Sequence, residues 1–195
     1  MLSVKKKSVE KYLYPLADLL KNVNPNTLTL IGSIPSLLFF VFVVNHMYIW
    51  ALIAFIGNGF DFIDGMVARK YNKVTAFGGF LDSTLDRIAD FLMISSFAFA
   101  GIVRWEIVAP LLLFSFLISY TRSRGELANP AISFAVGIIE RTERLIAIIS
   151  AVIFYMLFPT INILSFNIAE TILIILGALS FYTFLQRIMH AYKKL

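Results

Sequence analysis

The 195-residue chain contains no cysteine, only two histidines, and a charged fraction of 15%. Without cysteine it has no disulfide, no thiolate metal site and no cysteine nucleophile. A soluble domain of this size carries roughly a quarter charged residues. The shortage of charge, beside 59% hydrophobic residues and a mean hydropathy of +0.82, therefore excludes a water-soluble globule. The opening stretch MLSVKKKSVEKYLYPLADLL is too polar to serve as a cleaved signal peptide. The length also leaves no room for a second folded domain, because separate apolar runs of about 20 residues, each able to cross roughly 30 Å of hydrocarbon, consume nearly all of it.

Six of those runs read as membrane-crossing helices, at about 28–44, 48–69, 77–100, 105–124, 141–159 and 168–188. The expected fold is an all-α integral membrane protein forming one domain over 1–195, with an interfacial helix at 1–24 and a six-helix bundle over 25–195. Lys5, Lys6, Lys7, Lys11 and Lys21 are interleaved with Val9, Leu13, Leu16 and Leu20 at helical spacing, the pattern of an amphipathic helix lying in the interface. Pro25 stops that helix, and Asn26 or Thr27 can cap the next. Alternating the loops puts fifteen Lys and Arg on the amino-terminal side and Arg104 alone on the other. This bias predicts a multi-pass protein of the cell membrane with both termini cytoplasmic. The net charge of +5 is thus read as topology, and no nucleic-acid partner is expected.

Asp61, Asp64, Asp82, Asp86 and Asp90 fall within or at the ends of the second and third runs. Each charge in hydrocarbon costs at least a few kcal/mol, so five demand compensation. At 100° per residue, Asp61, Asp64, Gly65 and Ala68 share a helix face, and Asp82 and Asp86, four apart, share another. Four carboxylates are therefore expected to converge in one pocket near the turn 70–76. Hard oxygen donors without Cys or a suitable His favour Mg²⁺ or Mn²⁺. Two ions about 3.5–4 Å apart would suit four carboxylates and a phosphate substrate. The plainer reading is that the aspartates pair with Arg69, Arg87 or helix ends, which fits one such residue better than four.

The stretch DFIDGMVARKYNKVTAFGGFLDSTLD carries Asp61, Asp64, Gly65, Ala68, Arg69, Gly78, Asp82 and Asp86 in the pattern Asp-x2-Asp-Gly-x2-Ala-Arg-x8-Gly-x3-Asp-x3-Asp. This resembles the signature of the CDP-alcohol phosphotransferase family. The resemblance implies a CDP-lipid substrate, a homodimer, and metal ligation by Asp61, Asp64 and Asp82 with Asp86 shared, Asp86 also serving as general base. It further implies a cytidine nucleotide site of Asn26, Thr29, Asp61, Gly65, Ala68, Arg69, Thr75 and Gly78. Gly65 and Ala68 would let a base and pyrophosphate approach the helix, although small residues are also common at helix contacts. Arg69 can grip a phosphate bidentately or anchor the helix at the interface. Asn26, Thr29 and Thr75 equally suit capping and turn chemistry.

A second basic constellation spans SYTRSRGE (119–126), GIIERTERL (137–145) and Gln186-Arg187. Arg141 and Arg144 lie one turn apart at a helix start, where the dipole also attracts anions. Such a cluster fits a dianionic phosphate better than serine, choline or glycerol, although the positive-inside bias alone would account for any single arginine. The segments look like those of the subfamily that makes phosphatidylinositol phosphate from CDP-diacylglycerol and inositol 1-phosphate, including archaeal relatives that use CDP-archaeol. That likeness implies that Arg122, Arg141, Arg144 and Arg187 hold the acceptor phosphate. Glycerol 3-phosphate is the closest competing acceptor. A transporter coupled to ions would need aspartates near mid-membrane and broken helices at matching positions of two halves. Here the acidic groups crowd one surface and no two-half repeat is evident.

Overall fold

The computed structural model of the chain describes residues 18–58 and 61–195, with the side chains of 61 and 62 outside that description. Most of the expected interfacial helix, residues 1–17, also lies outside the described residues. Helix α1 (Pro25–Val44) starts where the Asn24 side chain accepts from Asn26 N at 3.0 Å, with Pro25 in the first turn, where its missing N–H costs nothing. After the turn at 45–47 come α2 (Tyr48–Gly57) and α3 (Asp61–Lys70). Together these two ten-residue helices occupy the run expected as one span over 48–69. They differ in character, since α2 is wholly apolar and α3 carries Asp61, Asp64, Arg69 and Lys70.

Helix α4 (Ala76–Phe99) is capped by Thr75, whose Oγ1 accepts from Gly78 N at 3.0 Å. Helix α5 (Trp105–Ala128) follows, and then α6 (Arg141–Leu157), which opens on a reciprocal Glu140/Glu143 capping box. A two-residue hairpin, β1 (Asn162–Ile163) and β2 (Phe166–Asn167), pairs antiparallel with Asn162 opposite Asn167. It leads into α7 (Ile168–Lys194), capped by Asn167 and Glu170 in the same reciprocal way.

The helices pack as an all-α bundle, α1 against α2, α3 and α4, and α5 and α6 against α7, with α4 touching α5. Phe39, Met93, Phe97, Leu111, Ile148 and Leu173 form its fully buried centre. The outside is also apolar, with Leu37, Ile53, Phe80, Leu113, Ile175 and Phe181 exposed. A water-soluble protein does not leave so continuous an apolar surface, whereas hydrocarbon is its natural solvent. Helices α1, α5 and α7 are each long and apolar enough to cross a membrane. Helix α4 has the length but carries Asp82, Asp86, Arg87 and Asp90, and α6 has only 17 residues.

Two sets of contacts fix the ends of the bundle. At one end Arg104 Nε meets Glu170 Oε1 at 2.9 Å, and Asn167 Nδ2 donates to Ile102 O at 2.6 Å, tying the α4–α5 turn to the head of α7. At the other end the starts of α1, α4 and α6 and the ends of α3, α5 and α7 come together, and the polar residues of the motif gather there.

Candidate active site

Two of the cavities at this end are lined by the motif and by the arginines, and both border the first half of α4. The first, of about 280 Å³, is walled by the first turn of α1, one side of α3, the 70–75 connection and the start of α4. Asn26, Thr29, Asp64, Gly65, Ala68, Arg69, Thr75, Gly78 and Asp82 all line it. The seven of these expected at the nucleotide are Asn26, Thr29, Gly65, Ala68, Arg69, Thr75 and Gly78, so residues far apart in sequence share one wall. The eighth, Asp61, begins α3, and its side chain lies outside the described residues.

Small residues shape this cavity. A methyl group on Gly78 would stand 3.0 Å from Asn26 Oδ1 and 3.1 Å from Thr75 Oγ1, and one on Gly65 would stand 3.1 Å from Arg69 Nη1. Asp64 is 6% exposed, and its Oδ1 accepts from Gly65 N. Thr29 donates to Pro25 O at 3.0 Å and Thr75 caps α4, so both threonines carry a local structural duty while lining the wall. Lys73 was not singled out from the sequence, yet it lines the cavity, its Nζ donating to Lys21 O at 2.5 Å. Nothing in the sequence marks it except its place between the two halves of the motif.

The segment before α1 holds α3 from outside. Leu20 packs with Leu28 and Tyr71 on Ile63, Met66 and Val67, the apolar face of α3. Asp18 Oδ1 accepts from both Lys70 Nζ and Tyr71 OH. The hydrogen bond from Lys70, and then that from Tyr71, holds the Asp18 carboxyl below the usual carboxylate range, while Asp18 pushes the Tyr71 phenol up.

The second cavity, of about 360 Å³, lies between α4, α5, α6 and α7 and is strongly basic. Arg122, Arg141, Arg144 and Arg187, the four arginines expected at the acceptor, all line it, and Arg87 joins them. Arg124 is exposed and is not part of this wall. Arg87 lies near the middle of α4, where Nη1 donates to Ser119 Oγ and Nη2 lies 3.4 Å from Asp86 Oδ2. Its signal was its position directly after the motif's last aspartate.

The five arginines face three carboxylates, Asp86, Glu126 and Glu140. Arg141 Nη1 meets Asp86 Oδ1 at 2.6 Å, and Arg122 Nε meets Glu126 Oε1 at 2.9 Å. Arg187 Nε donates to Val136 O at 2.8 Å and Nη1 to Ile118 O, so it also fastens the 129–140 connection to α5. Arg144, 1% exposed, pairs with Asp90 at 2.6 Å. The surplus of cations, partly desolvated, is what an anion with several oxygens requires.

The carboxylates therefore divide between the cavities. Asp64 and Asp82 line the first and Asp86 the second, and among the described residues no three such ligands stand together as a metal cluster. Asp86 is engaged by Arg141, the first residue of α6, while the side chain of Asp61 lies outside the described residues. Asp82 and Asp86 are nevertheless one turn apart on α4, so the cavities meet along that helix.

The motif-lined cavity and the arginine cavity lie side by side in an apolar helix bundle, and the chain belongs to the CDP-alcohol phosphatidyltransferase family, which it matches over residues 22–184. It is 36% identical over 191 residues to the archaetidylinositol phosphate synthase of Pyrococcus horikoshii, an alignment covering 97% of this chain and 94% of that one. Its fold is similar to that of Mycobacterium tuberculosis phosphatidylinositol phosphate synthase with CDP-DAG bound, with a TM-score of 0.75 at 22% identity over 96% of this chain and 93% of that one. A structure of the same mycobacterial enzyme in complex with manganese and citrate has a TM-score of 0.68 at 23% identity, covering 96% of this chain and 88% of that one.

Proposed function

We propose that the protein transfers the phospholipid moiety of a CDP-lipid, CDP-diacylglycerol or CDP-archaeol, to inositol 1-phosphate, giving the corresponding lipid inositol phosphate and CMP. The observation that carries this reading is the five-arginine cavity abutting the motif cavity along α4, since only a phosphorylated acceptor needs so many guanidinium groups beside the point of transfer. The likeness to the archaetidylinositol phosphate synthase over nearly the whole chain supports the same acceptor.

In this mechanism the first cavity binds the cytidine diphosphate head, with Asn26, Thr29 and Thr75 on the nucleotide and Arg69 on a phosphate, while the tails stay among the helices. Asp61, Asp64, Asp82 and Asp86 are oxygen donors of the kind Mg²⁺ or Mn²⁺ takes, and they would hold one or two such ions. When bound, the metal offsets negative charge on the pyrophosphate and on departing CMP. Arg122, Arg141, Arg144 and Arg187, with Arg87, hold the acceptor phosphate and turn an inositol hydroxyl toward the lipid-linked phosphorus. Asp86 lines the arginine cavity one turn beyond Asp82 and takes the proton of that hydroxyl as the new P–O bond forms and the bond to CMP breaks.

The same reading has six crossings, α2 and α3 together making one, in a single domain over 1–195 whose first 24 residues form an interfacial helix. Both termini and the site face the cytoplasm, where the nucleotide and sugar phosphate arrive, and the chain acts as a homodimer.

Labelled CDP-lipid supplied with inositol 1-phosphate, glycerol 3-phosphate, serine or inositol in turn tests the assignment. The expected result is CMP release that needs a divalent cation and is fastest with inositol 1-phosphate. Unphosphorylated inositol reacting as well as its phosphate would refute the acceptor, and glycerol 3-phosphate reacting fastest would replace it.

A further inference from the structure

Of the five aspartates in the second and third apolar runs, Asp90 is the one to which the proposed reaction gives no task. It is 2% exposed, one turn beyond Asp86 on α4, and it lies outside the wall of the arginine cavity. Its Oδ2 accepts from Arg144 Nη2 at 2.6 Å, and Arg87 Nε stands 3.9 Å away. Arg144 does line the cavity, and at 1% exposure it is the largest fully buried side chain described.

The donors of Arg144 are unevenly used. Nη2 is taken by Asp90, whereas Nε and Nη1, both buried, have no hydrogen-bond partner among the described residues. Buried donors are nearly always satisfied, so two idle nitrogens on a buried guanidinium in a cavity wall point to a ligand rich in acceptor oxygens. A long cationic side chain on a membrane helix would otherwise snorkel toward water. One carboxylate behind it prevents that, and also offsets the cost of keeping a lone cation at this depth.

We propose that Asp90 is the positioning residue of the acceptor cavity: by holding Nη2 of Arg144 it fixes this cation in the wall, with Nε and Nη1 left for the phosphate of the acceptor. The proposal rests on the acceptor reading above. Asp90 touches no substrate and acts chiefly through Arg144, its hydrogen-bonded partner, with Arg87 a more distant 3.9 Å away, so its loss changes recognition of the phosphorylated acceptor and leaves the motif cavity as it was.

The test uses Asp90→Asn, Arg144→Gln, the double variant Asp90→Asn/Arg144→Gln and the conservative Asp90→Glu. Each full-length protein is followed by its thermal midpoint, its KM for inositol 1-phosphate and its KM for CDP-lipid. Each of the two neutralising single variants should melt lower and show an acceptor KM raised ten-fold or more, with the CDP-lipid KM within two-fold of the unmodified protein. The double variant places two amides face to face without an unpaired charge, so its midpoint should recover. Its acceptor KM should stay as high as that of Arg144→Gln alone, because the pinned cation is gone. Asp90→Glu should regain part of the acceptor affinity that Asp90→Asn loses.

A double variant that recovers both midpoint and acceptor KM would reduce the pair to a structural bridge and overturn the proposal, even if the single variants fail to fold. So would an Asp90→Asn protein that melts lower but keeps its acceptor KM. Failure of the underlying reading looks different, for there the unmodified protein itself has no preference for a phosphorylated alcohol over inositol.

Discussion

Arg141 Nη1 stands 2.6 Å from Asp86 Oδ1, so the last carboxylate of the motif is engaged by the first residue of α6 and opens onto the arginine cavity. A residue so placed lines the arginine cavity and stands apart from the cavity that Asn26, Thr29 and Thr75 line. Asp86→Asn is therefore expected to lower kcat by about 10²–10⁴, the usual yield of a positioned base, with CMP affinity changed little. Steady-state kinetics beside calorimetric CMP binding check this. Loss of nucleotide binding in proportion to the loss of rate would make Asp86 chiefly a metal ligand.

Asp64 and Asp82 share the first cavity, Asp64 on α3 and Asp82 one turn before Asp86 on α4. A neutral amide replaces a charged oxygen ligand poorly. Asp64→Asn and Asp82→Asn should each weaken Mn²⁺ binding, read by paramagnetic resonance of the purified protein, and abolish turnover at limiting Mg²⁺. Near-normal rates and an unchanged Mn²⁺ spectrum in folded single variants would remove the metal assignment.

The helices were legible because apolar runs of spanning length and the Asn24-Pro25 break have direct physical causes. Helices α4 to α6 fall within four residues of the expected limits, and α7 begins as expected at 168 but runs six residues past 188. The motif also foretold which residues line the first cavity, since Gly65, Ala68 and Arg69 fall on one side of a helix by spacing alone. Tertiary partners were not legible. Period and spacing put Asp82 and Asp86 on one face, but only the fold brings Arg141 of α6 within reach of Asp86. Likewise Arg144 was read as a phosphate ligand from its helix start, and its pairing with Asp90, 54 residues away, depends on how two helices meet. Arg87 is legible only as a partner of the aspartates, which it is for Asp86 and Asp90, while its place in the arginine cavity and that of Lys73 in the first are not, because neither sits at a fixed motif position.

Packing around the 129–140 connection sets a stability prediction. A methyl group on Gly125 would lie 2.4 Å from Phe134 Cδ1, and the Phe134 ring is itself buried edge-on against His190 at 5.4 Å between centroids. A rigid buried ring cannot step aside cheaply, so Gly125→Ala should destabilise the protein by about 1–3 kcal/mol. The same connection carries Val136, whose carbonyl accepts from Arg187, and Glu140. The variant should therefore also raise the acceptor KM more than the CDP-lipid KM. An unchanged thermal midpoint would refute the packing argument.

The last prediction concerns Asp18, which fastens the segment before α1 to the end of the helix bearing Asp64 and Arg69. Its carboxylate accepts from Lys70 and Tyr71, and Leu20 packs on Ile63, Met66 and Val67. Lys70 above all holds the Asp18 carboxyl below its ordinary value of 3.8. A carboxylate depressed in the folded state contributes stability that is fully present above its unfolded pKa and is lost as pH falls through the depressed one. At neutral pH the fastening is thus complete, and only strong acid releases it. Asp18→Asn should accelerate hydrogen exchange of the amides in 63–73 at pH 7 and raise the KM for CDP-lipid, because Arg69 and Lys73 then line a looser wall. The same comparison repeated at pH values below the depressed pKa should show the two proteins exchanging alike, since protonation has by then removed the carboxylate charge that distinguishes Asp18 from Asn. Equal exchange at pH 7 would mean that Leu20 and the bond from Lys73 to Lys21 O hold the segment without Asp18, and a difference that persists in acid would mean that Asp18 acts other than through its charge.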